Sequence, residues 1–298
     1  MRLARRLLSL AMVAALGILL PAAGVCPGAR AAACPPLRIT VSILPQAWFV
    51  ENIGGDLVEV SVLVGSGHSP ATYEPTPRQM ALLEQADLFL AAGVPFEQGL
   101  VPRVRSLPRP PAIAGPEARG HDAEHEHDPH TWLDPAQAQA AADTISFRLQ
   151  ALCPDGAPAI RERRRALKER LDLLDRQVRD VLAPYRGRSF IVFHPAFGHF
   201  AAAYGLIQVP VEEGGHEPGP RHLAEVIERA RACGARSVVV QPQFSRKSAA
   251  TVAGAIGASL VVLDPLAADY EANLLHLART LAAGFAAEDA AGRPGGGS

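Results

Sequence analysis

Aromatic residues are scarce, at 5% of 298, and neither sign of charge is in excess, with 29 Lys+Arg against 30 Asp+Glu. A chain so poor in stacking surfaces and without a basic stripe excludes nucleic acid as a partner. Long apolar runs are also missing. The one candidate, Leu7 to Leu20, falls short of the ~20 residues a spanning helix needs. It follows Arg2, Arg5 and Arg6 and precedes the small residues Ala31 to Ala33, the order of a secretory signal peptide. Residues 1–33 therefore read as an export signal, with an uncleaved anchor or a lipid on Cys26 or Cys34 as variants, although neither cysteine sits in a convincing lipobox. Beyond the signal only Cys34, Cys153 and Cys233 remain, an odd number that argues against a disulfide-stapled scaffold. If one pair forms, Cys153 with Cys233 is the expectation.

What is present is an alternation. Short β-branched runs (Arg38 to Ile43, Leu57 to Val64, Asp87 to Ala91, Ser189 to Phe193, Ser237 to Val240, Ser259 to Leu263) are separated by helical patterns. Such repetition predicts an α/β fold of parallel sheets with crossover helices. Between the two groups of strands, Ile160, Leu167, Leu171, Leu174, Val178 and Leu182 recur at helical spacing, bounded by Pro158 and Pro184. They predict a helix over Ala159 to Leu182, about 36 Å long for 24 residues at 1.5 Å each, within the linking segment 158–184. Its basic cluster Arg161, Arg163, Arg164 and Arg165 is followed by acids, so a solvated face is expected. The organisation is then an N-terminal lobe over 34–157, the helix, a C-terminal lobe over 185–287 and a glycine-rich tail over 288–298 taken as disordered.

Chemistry concentrates just past strand ends, where α/β folds place ligands. His194 follows the run Ser189 to Phe193, and Asp264 follows Ser259 to Leu263. Either alone reads as a turn former or helix cap; two on rigid strands of one half form a better case for a site. The N-terminal half supplies His68, after the second strand, and His130, in a loop that Trp132 and Leu133 anchor by packing. Three imidazoles and one carboxylate match the four-ligand tetrahedral preference of Zn²⁺. The segment 117–128 carries His121, His125 and His127 among acids and reads as a mobile tract that binds metal weakly, or else as a solvated loop.

Ser69 to Pro77, Pro129 to Pro135, Phe193 to Gly198 and Leu263 to Leu266 together resemble the periplasmic metal-binding proteins of zinc and manganese ABC importers, the cluster that includes ZnuA and TroA. The resemblance implies two α/β lobes joined by one long helix, with the metal site in the cleft between them. It also implies a partner, the importer's membrane permease, and a chain that works as a periplasmic monomer. His130, His194 and Asp264 fall on the family's ligand positions. The first ligand departs, because Ala71 stands where the family has a histidine; His68 is the expected substitute, the alternative being that the ligand is missing and a water or a residue of the His-rich tract completes the shell. A histidine at 194, where manganese-binding relatives tend to carry a carboxylate, favours zinc over manganese or another divalent ion. Tyr73 and Glu74 are expected to fix the loop.

Two other functions are weighed. A zinc-dependent hydrolase needs a base beside a metal-bound water. No His-Glu-x-x-His helix exists, and His216-Glu217 with His222 is interrupted by Pro218 and Pro220. Glu212, Glu213 and Glu217 have no evident aim, so an enzyme is not expected. An exported metal chaperone or adhesin of the same fold is the second alternative.

Overall fold

The structure is a computed structural model that describes residues 34–116, 128–212 and 218–290. The expected signal over 1–33, the histidines at 121, 125 and 127, and the glycine-rich end from 291 lie outside the described residues.

The first strands form as the β-branched runs dictate: β1 (Leu37–Ile43), β2 (Val58–Val64), β3 (Leu88–Leu90) and β4 (Ala112–Ala114). They are linked by α1 (Leu44–Gly54), α2 (Pro77–Gln85) and α3 (Glu97–Arg105), and all pair in parallel in the order β2-β1-β3-β4. After α4 (Pro135–Leu152) and α5 (Ala157–Leu182) the same pattern recurs. Here β5 (Ser189–Val192), β6 (Ile207–Pro210), β7 (Ser237–Val240) and β8 (Ser259–Val262) pair in parallel as β6-β5-β7-β8. Their crossovers are α6 (Gly198–Tyr204), α7 (Pro220–Ala232) and α8 (Arg246–Ile256), and α9 (Tyr270–Ala290) ends the described chain. Strands β4 and β6 were not expected. One is a three-residue Ala-Ile-Ala segment, and in the other Gln208 separates the two β-branched residues Ile207 and Val209 and Pro210 ends the strand, so neither forms a continuous β-branched run.

The linking helix α5 buries Ile160, Arg164, Leu167, Leu171, Leu174, Val178 and Leu182 along one stripe. The basic cluster is not wholly solvated: Arg164 is buried, its Nε donating to Asp143 at 2.8 Å, and Arg163 donates to the Gly54 carbonyl at 2.6 Å. Helix α9 runs beside α5 and also touches both lobes. Its Tyr270 packs on Phe49 of α1, while near its other end Glu288, buried, pairs with Arg188 ahead of β5. The ordered chain thus continues to Ala290, past the expected boundary at 287. One hydrophobic core joins β1, β2 and β3 through α5 and α9 to the near face of the second sheet; a second, smaller core lies between that sheet and α7 and α8.

The cysteine expectation is corrected. Cys34 is bonded to Cys153, 119 residues away, which staples the chain just before β1 to the end of α4, while Cys233 is a free thiol. Counting parity could not reveal a pair closed by the fold. With its sulfur committed to this bond, Cys34 has none to offer a lipid thioether. Among the described residues no helix is long and apolar enough to cross a membrane.

Candidate metal centre

His194 and Asp264 each stand two residues beyond a strand, after β5 and β8, the place where parallel α/β sheets present ligands. His130 precedes a single 3-10 turn, Thr131–Leu133, ahead of Asp134, which caps α4 by accepting from the Ala136 amide at 2.9 Å. Trp132 is buried, and its indole N–H donates to the Pro265 carbonyl at 2.8 Å. That single bond ties the His130 segment of one lobe to the Asp264 segment of the other.

The structure brings His130 and His194 together, with ring centroids 5.2 Å apart. Two imidazoles on one tetrahedral zinc, with Zn–N of about 2.0–2.1 Å, place their centroids roughly 5 Å apart, so the spacing fits. Each ring is also oriented at Nδ1. Asp128 Oδ1 lies 2.6 Å from His130 Nδ1 and also accepts the His130 amide at 2.9 Å; Glu212 Oε1 lies 2.7 Å from His194 Nδ1. A carboxylate at Nδ1 fixes the proton there and leaves Nε2 as the nitrogen for a metal. Ring contacts restrict both further, His130 against Trp132 and His194 stacked on Phe244 at 4.7 Å. Burial is the larger influence on His130 and holds its pKa below the ordinary value, against the opposing pull of Asp128. Burial would raise Asp128, but hydrogen bonds and charge from His130 outweigh it and leave that carboxyl lowered.

Asp264 is equally constrained. Its Oδ1 accepts from Gln243 Nε2 at 2.7 Å and from the Leu266 amide at 2.9 Å, so Oδ2 is the oxygen left to serve as a ligand. The backbone of His194 is pinned on both sides by the buried Gln241, which accepts its N–H at 3.2 Å and donates to its carbonyl.

His68 is placed differently. It is exposed, its Nδ1 lies 3.1 Å from the Ser66 carbonyl of its own turn, and its ring meets Tyr73 edge-on. Ala71 is exposed beside it. Among the described residues no three His, Cys, Asp or Glu side chains are close enough together to hold a metal as they stand. Tyr73 does tie the loop down, its hydroxyl donating to Gln79 Oε1 at 2.9 Å, whereas Glu74 is exposed. Reading the sequence for ligands missed the residues that orient them. Asp128 has a local signal, two residues before His130; Glu212, which the sequence suggests only as a hydrolytic base, has none, being 18 residues from His194.

Two parallel α/β lobes with imidazoles converging from both define a two-lobe binding protein of the solute-capturing kind. The chain belongs to the ZnuA family, described as zinc-uptake complex component A, periplasmic, which matches residues 39–284. A protein of Chlamydia muridarum (strain MoPn / Nigg), with metal binding in its name, is 30% identical over 250 residues, covering 82% of this chain and 90% of its own. The high-affinity zinc uptake system protein ZnuA of Bacillus subtilis (strain 168) is 28% identical over 250 residues, 77% of this chain and 78% of its own. A crystal structure of ZnuA superposes with a TM-score of 0.78 at 37% identity, over 84% of this chain and 99% of that one.

Proposed function

We propose that this protein is an exported zinc-binding protein that captures the ion in its interlobe cleft and passes it to the permease of an ABC importer. The observation that carries this reading is the pair of imidazoles, His130 from one lobe and His194 from the other, each held by a carboxylate at Nδ1. Neutral nitrogen donors with one carboxylate suit zinc better than manganese, which prefers oxygen. Asp264 is the third ligand. His68 is the fourth, delivered by a turn of the loop over 65–76, where Gly67 has a φ of 77° and the neighbouring Ser66 is exposed. His121, His125 and His127 add weak, exchangeable binding. The periplasm as location and the permease as partner follow from the family, described as the periplasmic component of an uptake complex; a monomer suffices for the task.

A binding role is favoured over hydrolysis because the candidate base Glu212 is buried and engaged with His194, where it orients a ligand. Competition titration against a zinc chelator tests the site. His130→Ala and His194→Ala should each weaken zinc binding by orders of magnitude with the fold retained, and His68→Ala should weaken it about as much as His194→Ala. Parent-like affinity in both His130→Ala and His194→Ala would sink the site, and parent-like affinity in His68→Ala alone would remove His68 from it.

A further inference from the structure

Asp128 belongs to the first lobe, yet it is gripped from the second. His199, in the first turn of α6, has its Nε2 2.9 Å from the Asp128 carbonyl and its Nδ1 2.9 Å from Gln137 Nε2 on α4. The same Gln137 nitrogen lies 3.1 Å from Asp134 Oδ2, an acceptor-only carboxylate oxygen, which identifies that end of the amide as the NH₂. Gln137 therefore donates to His199 Nδ1, and the ring proton sits on Nε2 and is donated to the Asp128 carbonyl. Both ring nitrogens are used in this way, so His199 is a crosslink between lobes and is not itself a ligand in this arrangement. Gly198 works on the same residue. A Cβ at position 198 would lie 2.5 Å from Asp128 Oδ2 and 3.1 Å from Gln208 Nε2, so a side chain here would push on the carboxylate whose other oxygen meets His130. Gln208 in turn bonds the Phe197 amide at 3.0 Å and the Pro195 carbonyl at 3.2 Å, which fixes the turn between His194 and α6.

We propose that His199 and Gly198 form a clamp from the second lobe that positions Asp128, and through it the imidazole of His130, so that the grip of His130 on the captured ion depends on the two lobes being docked. His199 is a positioning residue in this scheme. It acts through the Asp128 main chain, while Asp128 Oδ1 orients the His130 ring. If the lobes shift apart at α6, Asp128 loses its donor from His199 and His130 loses its fixed orientation, which gives a partner that pries at the lobes a route to release the ion. This inference rests on the zinc site proposed above.

The test uses the full exported chain and three variants. His199→Leu keeps bulk and removes both hydrogen bonds. His199→Gln restores a terminal amide that can donate to the Asp128 carbonyl. Gly198→Ala leaves every side chain in place and presses a methyl on Asp128. Zinc affinity is read by chelator competition, and the ligand field by the visible spectrum of the Co²⁺-loaded protein. Outer partners of metal-bound histidines carry about 10–100-fold in affinity. His199→Leu and Gly198→Ala should each lose affinity on that scale with an altered Co²⁺ spectrum, and His199→Gln should recover most of both. A merely structural role would lower the melting temperature of zinc-free and zinc-loaded protein equally, with affinity and spectrum unchanged, and that outcome overturns the clamp. If His199→Leu does not fold, Gly198→Ala decides by the same two readouts. His130→Ala in the same titration separates the failures: if it loses zinc while His199→Leu and Gly198→Ala bind as the parent does, the clamp alone is wrong, and if it binds as the parent does, the site is wrong and the clamp falls with it.

Discussion

Asp128 and Glu212 perform the same task in different lobes, each placing a carboxylate on the Nδ1 of one imidazole. Their amide counterparts would keep the shape and lose the charge. Asp128→Asn and Glu212→Gln should each reduce zinc affinity by about 10–100-fold while leaving the far-UV spectrum of the metal-free protein unchanged, and chelator competition at a fixed pH would measure it. Retention of parent affinity in both would mean that the ring orientation is set by Trp132 and Phe244 alone. The depressed His130 also predicts a pH response. Its folded pKa lies below the ordinary histidine value of ~6.5, so as pH falls the unfolded chain takes up this proton first. The stability it contributes is complete above ~6.5 and is lost as pH falls from there through the folded pKa. Asp128 adds a second, more acidic window, its contribution present above the ordinary carboxyl value of ~3.9 and lost below it. Urea unfolding of the metal-free protein should therefore show a decline below about pH 6.5 that His130→Gln flattens; the same pH slope in parent and variant would contradict the assignment.

Among the elements, the short disulfide-tethered start of the chain makes a separate prediction. The Cys34–Cys153 bond closes a loop of 119 residues that contains the whole first sheet. Cross-links over long loops typically stabilise by about 2–4 kcal/mol, chiefly by restricting the unfolded chain. Reduction, or Cys34→Ala, should lower the unfolding free energy by about that amount, and thiol titration of the unreduced, denatured mature chain should find one reactive cysteine, Cys233. Three reactive thiols would remove the bond. Legibility at this scale followed side-chain character. Strands β1, β2, β5 and β7 announced themselves through Val, Ile and Phe, and α5 through its apolar stripe. Strand β4 is only three residues, two of them alanine, and in the four-residue β6 Gln208 and Pro210 interrupt Ile207 and Val209, so neither is long or apolar enough to stand out from its surroundings.

For the whole molecule, the decisive feature is that the lobes share a core. Leu171 and Leu174 of α5, Leu274 and Leu277 of α9, Ile53 of the first lobe and Phe190 of the second belong to one buried cluster. Two sheets joined in this way should unfold as one cooperative unit, so that tryptophan fluorescence, from Trp48 and Trp132 in the first lobe, and far-UV ellipticity, from both, should give coincident urea transitions. Separated transitions would mean that the lobes are thermodynamically independent. Zinc, bound only by the folded chain, should raise stability by about 2.7 kcal/mol at a free concentration 100 times its dissociation constant.

The sequence by itself determined the α/β class, the linking helix, and the positions of His194 and Asp264 beyond strand ends, because strand and helix signals act through hydrophobic periodicity and caps within a few residues. It also marked His130, through a motif. Only the tertiary structure decided that His130 and His194 meet, that Glu212 orients one ring, that Trp132 reaches Pro265 across 133 residues, that His199 reaches Asp128 across 71, and that Cys34 pairs with Cys153. It likewise set His68 in an exposed turn, bonded within its own loop. Contacts between residues so far apart in the chain arise when two sheets dock on shared helices, and the energy that selects them comes from burial across the interface, which leaves no local pattern at either partner.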